Sequence, residues 1–98
     1  MNARETSTVH LHCGPLASLE DPRVRDTVVA AAHGIAERTG VVLNDIVVDH
    51  PTQLSITVEG SEVLGLGLVA ELRRDTDRWY RSRTGTALWI GPDQEEIP

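Results

Sequence analysis

Two histidines and a cysteine stand together near the start of the chain, in the run Thr8-Val9-His10-Leu11-His12-Cys13. In an extended strand, side chains two positions apart share a face about 7 Å apart, so His10 and His12 could share a metal ion or bracket an anion. A structural zinc site takes four protein ligands and a catalytic one usually three plus water. The only recruits at hand are Asp49 and His50, from a strand that the topology derived below keeps away from the first. The pair is therefore read as the flank of a contact surface, with binding of a small ligand or metal at His10 and His12 as the alternative. Cys13 falls on the opposite side of the strand, among apolar residues. There it reads as a small core residue, since a nucleophilic role needs an accessible thiolate with His10, His12 or His50 as its base.

Other catalytic chemistry finds little footing. All nine basic residues are arginine. The absence of lysine excludes a Walker phosphate loop, a lysine Schiff base and a lysine general base. No Gly-x-Ser-x-Gly, His-Glu-x-x-His or Gly-x-Gly-x-x-Gly pattern occurs, and the paired acids Glu95-Glu96 sit in a polar tail without a dry, fixed setting. No catalytic residue, cofactor or bound metal is assigned.

The elements that carry these residues follow from periodicity. Thr8–Cys13 alternates as a strand stopped by Gly14-Pro15. Asp21 stands as an N-cap with Pro22 at the first helical position, and Val24, Val28, Ala31, Ala32 and Ile35 recur at helical spacing up to Gly40. Ile46–His50 and Leu54–Val58, separated by Pro51-Thr52, read as a hairpin. From Ser61 to Arg83 the apolar residues fit a strand and a helix alike. The longer stripe Leu64, Leu68, Leu72, Thr76 and Trp79, a first-turn Glu62, last-turn Arg81 and Arg83, and Gly85 as a C-cap decide for the helix. Gly65 then lies on the buried stripe and Gly67 faces out. Thr86–Ile90 reads as a fourth strand, closed by Gly91-Pro92.

The resulting order, β-α-β-β-α-β, predicts an α+β domain of ferredoxin-like topology: a four-stranded antiparallel sheet with two helices on one face. The first strand sits between the third and fourth, and the second is an edge. The other sheet face is left bare, carrying His10, His12, Ser55 and Thr57. Trp89, alternating against Leu88 and Ile90, is placed there too, as the anchor of a contact. A second surface comes from the second helix, which carries five arginines and four acids between Ser61 and Arg83. Arg74, Arg78 and Arg81 face away from its apolar stripe, partly neutralised by pairs such as Asp77 with Arg81, and offer a contact for an acidic patch on a partner.

Ninety-eight residues suffice for a single domain, 1–98, with residues 1–7 and 92–98 expected as flexible ends. A net charge of -6 repels nucleic acid and anionic membrane. No apolar run approaches the roughly 18 residues that span a bilayer. One cysteine closes no internal disulfide, and the start lacks a secretory apolar run, pointing to the cytoplasm. The function expected from the residues is a small non-catalytic module that self-associates through its bare sheet face, an assembly that weakens on acidification as the imidazoles gain charge.

Overall fold

The structure, a computed structural model, describes residues 5–90. It is an α+β domain of three strands and two helices: β1 (Thr6–His12), α1 (Pro22–Thr39), β2 (Leu43–His50), β3 (Gln53–Glu59) and α2 (Glu62–Thr84). The sheet is antiparallel throughout, in the order β1-β3-β2. Strict alternation in β1 and β3 buries Val9, Leu11, Leu54, Ile56 and Val58 on one side. Both helices pack on that side and bury their stripes there, Val24, Val28, Ala32, Ile35 and Ala36 from α1, and Leu68, Val69 and Leu72 from α2.

The helix boundaries obey capping chemistry. Asp21 accepts the Arg23 N–H at 2.9 Å, Pro22 opens α1, and Gly40 ends it in the left-handed conformation at φ 80°. Gly85 ends α2 in the same way. Ser61 precedes α2 but makes no side-chain cap bond. The ambiguous segment is helical, and Gly65, Leu68, Val69, Leu72 and Thr76 form its buried stripe against the sheet. At Gly65 the missing side chain is required: a Cβ there would lie 3.0 Å from Val9 Cγ2 and 3.4 Å from Val58 Cγ2, whereas at Gly67 it would meet nothing within 4 Å. Leu64, expected on the buried stripe, is largely exposed.

Two further expectations are corrected. The sheet has three strands among the described residues, not four, and its centre is β3 rather than β1. Thr86–Ile90 forms no strand. It contributes an isolated antiparallel bridge, Cys13 with Trp89, held by Gly14 N–H to the Leu88 carbonyl at 2.8 Å and Ile90 N–H to the His12 carbonyl at 2.9 Å. The Leu88 N–H goes instead to Asp77 Oδ1 on α2, at 2.7 Å. The second correction concerns Trp89, which is 2% exposed and lies beneath α2. Its indole Nε1–H donates to Thr76 Oγ1 at 2.9 Å, and that hydroxyl donates to the Leu72 carbonyl at 2.6 Å. The reason is register. Trp89 stands opposite Cys13, a core-facing residue, and directly opposed residues share a sheet face. Of the expected flexible ends, Thr6 and Ser7 belong to β1, while 1–4 and 92–98 lie outside the described residues.

Candidate functional site

The sheet side turned away from both helices carries Thr8, His10 and His12 from β1, Ser55 and Thr57 from β3, and Val47 and Asp49 from β2. The cross-strand register assembles them in rows. His10 stands opposite Ser55, which stands opposite Val47; Thr8 stands opposite Thr57, which stands opposite Asp45. Four of the five residues expected on this face, His10, His12, Ser55 and Thr57, are therefore placed there together, and Trp89 is not.

Hydrogen bonds lock the face. Thr8 and Thr57 hydroxyls meet at 2.8 Å. Asp49 Oδ2 accepts from both the Ser55 hydroxyl and Gln53 Nε2, and Ser55 Oγ lies 2.8 Å from His10 Nδ1. A serine hydroxyl has one proton to give, and here the carboxylate takes it. The His10 Nδ1 must then donate to Ser55, which leaves Nε2 facing solvent. The order Asp49–Ser55–His10 differs from that of a nucleophilic triad, in which the imidazole sits between carboxylate and hydroxyl and withdraws the hydroxyl proton. This arrangement fixes the ring without activating the serine.

No family model matches the chain, and no curated protein does. Among the described residues, no group of three His, Cys, Asp or Glu side chains is placed to hold a metal ion. His50 turns to its own hairpin, with Nδ1 at 3.3 Å from the Thr52 hydroxyl. Clefts of about 380 and 320 Å³ lie away from the open face, the first at the end of the sheet around Val41, Gly60 and Leu64, the second between the start of α1 and the end of α2 around Trp79 and Arg83. Cys13 is buried, and that burial pushes its thiol up to about 11, so it carries almost no thiolate at neutral pH.

On α2, Arg74, Arg78 and Arg81 are all exposed. Arg81 pairs with Asp77 at 2.6 Å, as its spacing predicts, and Arg74 lies within 4.0 Å of Glu71 and 3.7 Å of Asp75. Asp49, named in the sequence as a recruit to the β1 face but set aside because β2 and β1 do not touch, is joined to that face after all. Ser55 on the intervening strand bridges them, and the hairpin register that does so was recoverable from the Pro51-Thr52 turn. Residue-by-residue reading missed Thr76, although a threonine on an otherwise apolar helical stripe signals a buried polar partner.

Proposed function

We propose that the protein is a small interaction module with no chemistry of its own, which associates with a second copy of itself through the open sheet side. One observation carries this reading: both helices cover the same side of the sheet, while the bare side presents hydroxyls, the Gln53 amide and the His10 imidazole already fixed by mutual hydrogen bonds. Side chains fixed before contact lose little entropy on binding. Val47, 42% exposed in the row with Ser55 and His10, supplies the apolar point that Trp89 does not. The exposed Arg74, Arg78 and Arg81 give the module a second contact, suited to an acidic partner. The lone buried cysteine fits a reducing compartment such as the cytoplasm. Among the described residues no helix is long and apolar enough to cross a membrane.

Sedimentation velocity tests the reading. The wild type is expected to dimerise at concentrations up to about 0.1 mM, a contact of about 5–6 kcal/mol. Replacing Val47 by Asp and Ser55 by Arg is expected to weaken a contact made across this face. A wild type that stays monomeric over that range removes the reading.

A further inference from the structure

Aromatic side chains are scarce in this chain, two tryptophans and one tyrosine with no phenylalanine, yet only Trp89 is given wholly to the core. Trp79 and Tyr80 stand half-buried near the end of α2, their ring centroids 6.3 Å apart and their planes tilted by 48°. With Asp21, Arg23, Val24 and Arg83 they line the cleft of about 320 Å³ between the end of α2 and the start of α1. Small-molecule sites run from about 300 to 1,000 Å³, so this one suits a ligand of one or two rings.

The polar groups on that lining are mostly donors. Arg83 holds its guanidinium 5.5 Å from the centre of the Trp79 ring. A cation resting on an aromatic face keeps the N–H groups at its edge for other partners. Among the described residues, the guanidinium groups of Arg23 and Arg83, the Trp79 indole N–H and the Tyr80 hydroxyl make no hydrogen bond or ion pair, and the Trp79 and Tyr80 polar atoms stay open to solvent. The acceptors beside them are occupied. Asp21 Oδ1 accepts the Arg23 N–H at 2.9 Å, the Tyr80 carbonyl accepts the Thr84 hydroxyl at 2.9 Å, and the Arg81 carbonyl accepts the Gly85 N–H at 2.8 Å. Two arginines against one aspartate leave the lining at +1, in a chain whose net charge is -6. One carboxylate balances that charge, and a phosphate monoester, with a charge of about -1.5 to -2, exceeds it.

We propose that this cleft binds a small planar aromatic carboxylate, its ring against Trp79 and Tyr80 and its two oxygens on the guanidinium groups of Arg23 and Arg83. The guanidinium fork matches a carboxylate in shape, and Arg83, already held on Trp79, loses little freedom when it takes one. The cleft lies between the helices, away from the open sheet side, so this ligand and a second copy of the chain occupy separate surfaces and the two readings stand or fall apart.

NMR of the isotope-labelled protein tests the site through its two indole N–H signals. Trp89, 2% exposed and bonded to Thr76, is the internal control. Titration with naphthalene-2-carboxylate is expected to shift the Trp79 signal, saturating with a Kd of about 1 mM or below, and to leave the Trp89 signal in place. Naphthalene-2-carboxamide, which keeps the ring without the charge, and inorganic phosphate, which has charge without a ring, are expected to bind at least about tenfold more weakly. Arg23→Gln and Arg83→Gln, at exposed positions that leave the core untouched, are each expected to weaken carboxylate binding roughly threefold or more while the Trp89 signal stays unmoved. A Trp79 signal that does not respond to the carboxylate at about 10 mM overturns the proposal. So does equal binding of the carboxamide or of inorganic phosphate, tighter binding of 2-naphthyl phosphate, or wild-type affinity in both arginine variants, whatever the oligomeric state.

Discussion

Thr76→Val tests the placement of Trp89 more sharply than any other single change. Thr76 and Trp89 are each 2% exposed, and the hydroxyl is the acceptor for the indole N–H at 2.9 Å. Valine keeps the volume and the branching of threonine and has a similar helix propensity, so neither a cavity nor a helix term enters. What remains is a buried indole N–H without a partner, which costs about 1–3 kcal/mol. The Leu72 carbonyl loses the hydroxyl bond but keeps its place in the helix ladder. At a central value of about 2 kcal/mol, a domain of this size loses about 8–16 °C in Tm. Thr76→Ser keeps the acceptor and removes one methyl, worth about 1 kcal/mol, and is expected to be the milder change. Urea denaturation and calorimetry read both. In a Trp89→Phe background, which has no N–H to satisfy, Thr76→Val is expected to cost little further, and the difference between the two backgrounds is the coupling energy. If Thr76→Val lies within about 0.5 kcal/mol of wild type, or if serine is the worse replacement, Trp89 does not sit beneath α2 and the corrected fold fails.

The two glycines of α2 are expected to respond in opposite directions. Gly65→Ala gains about 1 kcal/mol of helix propensity, but its Cβ meets Val9 and Val58, both β-branched and fixed in the sheet, and the net is a loss of about 1 kcal/mol in urea denaturation. Gly67→Ala meets nothing and is expected to stabilise by about 0.5–1 kcal/mol. Cys13 is expected to react with a thiol reagent only as fast as the protein opens, matching unfolding in denaturant; rapid native labelling at neutral pH contradicts its burial. Burial alone would raise the Asp77 carboxyl, but hydrogen bonds from Arg81 and from the Leu88 and Trp89 backbone, with the Arg81 charge, outweigh it and hold it below its ordinary value. A lowered folded value means stability present above the ordinary carboxylate range and lost as pH falls through the lowered one, so Asp77→Asn should destabilise at neutral pH by about 1–3 kcal/mol and flatten the acid limb of the stability profile.

Most of the architecture is legible where local pattern and tertiary demand coincide. Asp21-Pro22 and Gly40 bound α1 because caps act within one turn of the chain, and β3 alternates because its two faces meet different surroundings. The long helix α2 is legible only over its whole length, since Leu64 to Leu72 alone satisfies both periods. The candidate face is legible for the same local reason: His10 and His12, like Ser55 and Thr57, follow from alternation within single strands. Trp89 is different. Leu88, Trp89 and Ile90 are all apolar, so alternation offers two phases and no internal evidence to choose between them. The choice is made by a non-local fact, the register opposite Cys13, and by a polar partner thirteen residues away on α2.

The same contacts that hide Trp89 also fix the path of the segment after α2. Asp77 and Thr76, adjacent on α2, bind the Leu88 N–H and the Trp89 indole, so the segment after α2 is tied to the helix as much as to the sheet. The close approach runs past Gly14, where a Cβ would lie 3.3 Å from the Ala87 carbonyl oxygen. Drawn inward there, the segment pairs with β1 at His12 and Gly14 among the described residues. Trp89 thus bears on any contact through the sheet by its absence: its burial removes it from the open face and fixes the path of residues 86–90.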